Sequence, residues 1–199
     1  MNRVLTVVIG SLIMLAMATL VLVALPYRQL RDEAPPEPLK PYTVAQLRGR
    51  ATYVNMGCVY CHSQQPHAPS LGPDQLRGWG RPSVPADYVY DYPHLLGVSR
   101  TGPDLFNIGA RQPSDAWHLA HLYQPRAVTP GSVMPAYPFL FRVVDHAKPG
   151  DVVVQLPPKV APADGKQVIA SQDALDLVAY LTALNHTYPA PADPSGTMK

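Results

Sequence analysis

The chain has 199 residues, of which 47% are hydrophobic and 15% charged, with 24 prolines and a formal net charge of +2. This length accommodates one compact domain with attachments and excludes a large multidomain enzyme. The abundance of proline argues against a coiled coil or helical bundle, and the balanced charge argues against nucleic acid as a partner. The chain's two cysteines lie in one tetrapeptide, so a disulfide-stapled scaffold is also excluded.

An uncharged apolar run of 22 residues extends from Val4 to Leu25. At 1.5 Å per residue, a helix of this length crosses the roughly 30 Å hydrocarbon core of a bilayer. The alternative is a cleaved secretory signal. The run is longer than the roughly 7–15 residues of a signal's apolar region, and no A-x-A cleavage site follows it. We therefore expect residues 1–26 to be a transmembrane anchor.

Composition divides the remainder of the chain into three parts. Residues 27–42 are rich in proline and predict a stiff, extended linker that lifts the next segment off the bilayer. Residues 43–188 are expected to form the folded domain. Residues 189–199 have the composition of a disordered tail.

Three polar residues each precede an apolar run with helical spacing, namely Thr43, Ser114 and Ser171. Each can accept a hydrogen bond from the free N–H groups of a first helical turn, so each predicts a helix start. The first helix is expected to bury a stripe of Val44, Leu47, Ala51 and Val54. The last is expected to bury Leu175, Val178, Leu181 and Leu184.

The first of these helices leads into Cys58, Cys61 and His62, which form the C-x-x-C-H pattern of covalent c-type haem attachment. Two thiols one helical turn apart can bond the two vinyl groups on one porphyrin edge. The adjacent histidine then lies under the iron and can ligate it. The sequence thus predicts one covalently bound haem c, with His62 as an iron ligand.

Two other uses of this pattern were weighed. A thioredoxin-like redox pair usually follows a strand in a βαβ unit, whereas an anchor and a helix precede Cys58. A zinc site needs four ligands, usually with a second Cys or His pair at characteristic spacing. The chain has no second cysteine pair, although His118 and His121 could supply two nitrogens.

A haem in an electron carrier needs a sixth iron ligand, and elimination among the six methionines leaves Met134. The other five lie in the anchor, beside Cys58 or in the tail. A thioether raises the reduction potential and blocks the sixth position against oxygen chemistry. The rival sixth ligands are His94, His118, His121 and His146.

The segment from Arg100 to Leu105, RTGPDL, resembles the Gly-Pro-x-Leu segment of class I cytochromes c. The resemblance implies that the Pro103 carbonyl accepts the N–H of the proximal imidazole and that Leu105 packs on the haem. Arg100 and Arg111 are candidates to pair with the haem propionates, because a guanidinium matches a carboxylate in a bidentate manner.

Two stretches have weaker patterns. Between Gln64 and Thr101 lies an insertion rich in Pro and Tyr, in which Asp87–Tyr92 has tyrosines at alternate positions. This stretch predicts a short strand or an aromatic lid over the haem edge. The segment 151–156, DVVVQL, predicts a strand or turn.

Longer strings resemble the monohaem subunit II of cbb-type cytochrome c oxidase, the FixO family. They are CVYCHSQQ (58–65), DYVYDYPHLLG (87–97), RTGPDLFNIGAR (100–111), SDAWHLAHLYQPR (114–126) and SVMPAYPFL (132–140). The resemblance implies a mostly α fold, in which one N-terminal transmembrane helix precedes a class I cytochrome c domain with a long loop-rich insertion. It also implies axial ligation by His62 and Met134.

The same resemblance implies a place in a complex. The chain would sit on a catalytic haem–copper subunit beside a further cytochrome c subunit. It would take electrons from a soluble or membrane-bound cytochrome c and pass them to haem b for oxygen reduction, with no catalysis of its own. It would lie in the bacterial inner membrane, with its N-terminus cytoplasmic and its haem domain periplasmic.

The alternatives are a free-standing anchored cytochrome c shuttle, the cytochrome subunit of nitric oxide reductase, and a haem-based gas sensor with a labile sixth ligand. A small shuttle should need far fewer residues than 64–142 around its haem. The sequence contains no signalling partner domain.

Overall fold

The computed structural model describes residues 3–97 and 99–190, and helices predominate in it. The first helix comprises α1 (Arg3–Thr19), a π-helical turn (Leu20–Ala24) and α2 (Leu25–Leu30), which follow one another without a break. In the described part of the chain, it is the one helix long and apolar enough to cross a membrane. Its 28 residues extend about 42 Å.

This helix ends at Leu30, four residues beyond the predicted end of the anchor. The π-helical turn ends two residues before Pro26, and the N–H of Leu25, the residue between them, bonds to the Leu20 carbonyl. Proline lacks an N–H and crowds the preceding turn, and a widened turn at this place relieves both effects. The helix therefore continues through Pro26, and the non-helical linker begins after Leu30.

Two helices at opposite ends of the domain pack against each other: α3 (Val44–Asn55) and α7 (Gln172–Ala183). Thr43 caps α3 in a reciprocal capping box with Gln46, and the Ser171 hydroxyl accepts from the Ala174 N–H at the start of α7. Both predicted helix starts are confirmed.

The two helices approach so closely that their backbones touch at Gly49. A Cβ at this position would lie 1.8 Å from the Asp176 carbonyl oxygen, so only glycine fits. Beside this contact, Arg48 Nε lies 2.5 Å from Asp176 Oδ2. The rings of Tyr53 and Tyr180, one from each helix, meet edge to face with centroids 5.6 Å apart.

The predicted buried face of α3 is wrong. Its apolar stripe is exposed instead, with exposed fractions of 71% at Val44, 50% at Leu47 and 40% at Val54, and Ala51 is exposed as well. The helix buries Gly49, Arg50 and Tyr53. Close contact with α7 requires Gly49 on the side of α3 that faces α7. The buried Arg50 is neutralised by Asp91, whose Oδ1 accepts from Arg50 Nε at 2.9 Å. For α7 the predicted buried stripe is largely confirmed, because Val178, Leu181 and Leu184 are buried and Leu175 is partly buried.

Three short helices complete the wall of the domain: α4 (Ile108–Arg111), α5 (Asp115–Tyr123) and α6 (Pro125–Val128). The Ser114 hydroxyl accepts from the Trp117 N–H, so the predicted start of α5 is confirmed. The core lies between α3, α5 and α7. Its most deeply buried apolar residues include Tyr53, Leu119, Ala174, Leu177, Tyr180 and Leu184.

A small antiparallel sheet of two strands pairs β1 (Phe141–Val144) with β2 (Gln167–Ala170), so that Phe141 faces Ala170. In the segment 151–156, Val153 forms an isolated bridge to Ile169 rather than a full strand. The sequence pattern therefore predicted the segment that bridges to this sheet but did not predict β1 or β2.

The stretch between the haem motif and residue 101 contains one short 3₁₀ helix, Pro85–Tyr88, and no strand in its described residues. The strand predicted for Asp87–Tyr92 is therefore wrong. Buried carboxylates fix this segment, because Asp87 receives two hydrogen bonds from Arg81 and Asp91 pairs with Arg50. Two charge-assisted contacts thus hold a segment that has little regular structure. Of the predicted tail 189–199, residues 191–199 lie outside the described residues.

Candidate functional site

A largely apolar cavity of about 520 Å³ lies on the side of α7 that carries Leu181. Four parts of the chain enclose it: the haem motif, the segment 101–105, helix α5 with the end of α4, and the loop 129–137. Cavities of this size that combine apolar walls with a few placed polar groups are typical cofactor sites.

The motif residues Cys58, Cys61 and His62 all line this cavity. The N–H groups of Cys61 and His62 both bond to the Cys58 carbonyl, at 3.1 and 3.0 Å, which places the two cysteines on one helical turn as predicted. Both cysteines are free, Cys58 buried and Cys61 exposed. Burial raises the pKa of Cys58 to about 11, so its thiol is protonated at neutral pH.

The ring of His62 is held from behind by Pro103. His62 Nδ1 lies 2.7 Å from the Pro103 carbonyl oxygen. A carbonyl only accepts, so Nδ1 carries the proton and Nε2 is left without one. Burial lowers the pKa of His62. A neutral imidazole with an unprotonated Nε2 is the form that binds a metal.

The Gly-Pro segment runs beside the motif. The Gly102 N–H bonds to the Cys61 carbonyl at 2.8 Å, and the Leu105 N–H bonds to the Ser63 carbonyl at 2.7 Å. Gly102 lies flat against the imidazole of His62, where a Cβ would stand 2.3 Å from Cε1. Leu105 is buried and lines the cavity.

Met134 lines the same cavity, and of the four rival histidines only two do so. His94 and His146 are absent from its walls. His118 has its Nε2 bonded to the Gln112 carbonyl at 2.8 Å. His121 stacks on Trp117, with ring centroids 4.6 Å apart. Met134, His118 and His121 therefore line one cavity with His62, and the Nε2 of His118 is already bonded to a backbone carbonyl.

The two candidate arginines are placed differently. Arg100 does not line the cavity; its guanidinium pairs with the buried Asp74 at 2.8 Å and donates to the Gln65 carbonyl. Arg111 lines the cavity and donates to the Asp104 carbonyl. The structure thus gives Arg100 a carboxylate partner within the chain and leaves Arg111 as the arginine that faces the cavity.

The hydrogen bonding of Arg111 indicates whether the cavity suits a haem. Its Nε is buried and has no hydrogen-bond partner among the residues that the structure describes. A buried donor left unpaired costs about 1–3 kcal/mol, and a propionate carboxylate would satisfy it. The cavity also presents two thiols, a thioether and three imidazoles, which are the groups that attach a haem c and ligate its iron. The residues present therefore fit the group.

The sequence patterns did not indicate Trp117 as a residue of the cavity wall, and they placed the tyrosines of 87–92 there wrongly. Trp117 lines the cavity four residues before His121, a rival ligand from the sequence, and this i, i+4 spacing on α5 was the available signal for Trp117. The predicted aromatic lid is wrong, because Tyr88, Tyr90 and Tyr92 are absent from the cavity lining. Tyr88 instead donates its hydroxyl to the Gln64 carbonyl at 2.8 Å.

Comparison with known proteins adds the identity of the family. The family model described as cytochrome c oxidase, mono-heme subunit/FixO matches residues 1–156. No curated protein matches the chain. The matched range contains the long apolar N-terminal helix, the C-x-x-C-H motif and the Met134 loop. The chain therefore belongs to the FixO family of monohaem cytochrome c oxidase subunits.

Proposed function

We propose that this chain is a membrane-anchored c-type cytochrome that relays electrons from a periplasmic donor to haem b of a catalytic haem–copper subunit. The observation that carries the proposal is the placement of Cys58, Cys61, His62 and Met134 around one cavity. A haem held in this cavity supplies one-electron redox chemistry. The apolar walls keep water from the site, which lowers the reorganisation energy of electron transfer.

Each residue around the cavity has a distinct task. Cys58 and Cys61 would hold the haem through thioether bonds to its two vinyl groups. Pro103 holds the imidazole of His62 in the tautomer that directs Nε2 into the cavity. Met134 offers a soft thioether as sixth ligand, and Arg111 offers its unpaired Nε–H to a propionate.

Membership of an oxidase-subunit family favours a place within a complex over a free-standing shuttle. In this proposal the helix Arg3–Leu30 crosses the bacterial inner membrane. Haem c is attached on the outer face, which sets the N-terminus in the cytoplasm and the domain in the periplasm. The partners are the catalytic subunit, a further cytochrome c subunit and a cytochrome c donor.

The first test is the mass of the mature polypeptide and its pyridine haemochrome spectrum. We expect one covalently added haem per chain, and none when Cys58 and Cys61 are both replaced by Ser. An unmodified wild-type chain would contradict the proposal. Co-purification with a haem–copper subunit, read as the ratio of haem c to haem b, tests the relay; a chain that purifies alone under mild detergent would support the shuttle.

The second test concerns the sixth ligand. Met134→Ala should lower the reduction potential by about 0.1 V or more, a small part of the roughly 0.8 V range that axial ligands span. It should also let the reduced protein bind carbon monoxide. His121→Ala is the matched control, because this residue lines the same cavity. If His121→Ala lowers the potential and admits carbon monoxide while Met134→Ala does neither, the sixth iron ligand is His121 and not Met134.

A further inference from the structure

The loop that carries Met134 has few hydrogen bonds of its own. Ser132 N–H closes a turn on the Thr129 carbonyl at 3.1 Å, and Met134 N–H reaches the Ser132 hydroxyl at 3.3 Å. Pro130 and Pro135 have no N–H to donate. The next backbone hydrogen bond after Met134 runs from the Tyr137 N–H to the Leu122 carbonyl.

A side chain outside the loop spans this gap. Arg126, on α6, donates from Nη1 to the Ser132 carbonyl at 2.9 Å and to the Met134 carbonyl at 3.4 Å. One cation thus reaches the backbone on both sides of Val133. Among the residues that the structure describes, no carboxylate forms an ion pair with Arg126, so its hydrogen bonds go to this loop.

We propose that Arg126 is a positioning residue that holds the loop of Met134 against the cavity and keeps the thioether in place. The inference rests on the proposed role of Met134 as iron ligand. Hydrogen bonds from a charged donor are stronger than neutral ones, and these two connect the loop to a helix. Without them the loop opens more often, and each opening exposes the sixth position to a competing ligand.

The test is a titration of the oxidised, full-length, haem-loaded protein in detergent with imidazole, which competes with a thioether for ferric iron. The apparent affinity for imidazole rises in proportion to the open fraction of the loop. Arg126→Met removes both donors at similar length, and we expect imidazole to bind about tenfold more tightly. Arg126→Lys keeps a cationic donor and should recover most of the difference. Arg142→Met replaces an exposed arginine outside the loop and should bind imidazole as wild type does.

Two outcomes overturn the inference. The first is that Arg126→Met resists imidazole as well as wild type does. The second is that Arg126→Met lowers the reduction potential with unchanged imidazole affinity, which would mean that Arg126 acts through its charge alone. Failure of the underlying assignment looks different. In that case wild type would lack the near-infrared absorption of a ferric iron–thioether bond, and Met134→Ala would bind imidazole no more tightly than wild type.

Discussion

The contact between Gly102 and His62 makes a sharp prediction about the proximal side of the site. Replacing Gly102 by Ala adds a Cβ that would stand 2.3 Å from Cε1 of His62 and 2.8 Å from Nε2. The closer distance is 1.1 Å short of the 3.4 Å at which ordinary contact begins. Either the imidazole or the segment carrying Pro103 must therefore move by about 1 Å.

A shift of this size cannot preserve the 2.7 Å hydrogen bond from His62 Nδ1 to the Pro103 carbonyl. Loss of such an outer partner typically costs 10–100-fold in metal affinity, or about 1.4–2.8 kcal/mol. We therefore expect Gly102→Ala to raise the ratio of high-spin to low-spin haem at least about tenfold. The measurement is the absorption spectrum of the oxidised full-length protein, normalised by pyridine haemochrome.

Two variants serve as controls. Gly72→Ala places its Cβ 3.4 Å from the nearest atom, Asp74 Oδ1, and should leave the spectrum unchanged. Pro103→Ala keeps the carbonyl that accepts from His62 and should perturb the spectrum only mildly. A wild-type spectrum in Gly102→Ala, or an equally severe loss in Pro103→Ala, would refute the account of how His62 is oriented.

Two other variants probe charges within the domain. Arg111→Gln removes the cation whose Nε lacks a partner in the cavity wall, so the reduction potential should fall in a spectroelectrochemical titration; an unchanged potential would argue against pairing with a propionate. Arg50→Ala leaves Asp91 buried without its cation and should lower the free energy of unfolding by about 3–5 kcal/mol in chemical denaturation. As a control, Arg142→Ala at an exposed position should change the free energy of unfolding by less than about 0.5 kcal/mol. Equal destabilisation by the two variants would contradict the role of burial.

Local chemistry accounts for what the sequence predicted well. Thr43, Ser114 and Ser171 begin helices because a side-chain oxygen satisfies N–H groups within three residues, which needs no knowledge of the rest of the fold. The bond from His62 to Pro103 followed from a resemblance in a short motif, and the structure places it at 2.7 Å.

Predictions failed where distant contacts decide. The spacing of Val44, Leu47 and Val54 indicates a buried stripe, but α7 requires Gly49 on the inner side and thereby turns that stripe outward. The pairing of Arg100 with a propionate stays a prediction, and nothing in the sequence pattern indicated that its guanidinium donates to Asp74, 26 residues away. The two strands of the small sheet have four residues each, too few for a distinct alternating pattern.

The packing of α3 on α7 has a consequence for how the protein is made. Arg48 and Asp176, which bond across this contact, are 128 positions apart, so the helix that leads into the two cysteines remains without its neighbour until α7 has been synthesised. Closing so large a loop is entropically costly and slow. A shortened chain ending at residue 156 would retain both thiols and the methionine but would lack the surface on which the haem-motif helix rests.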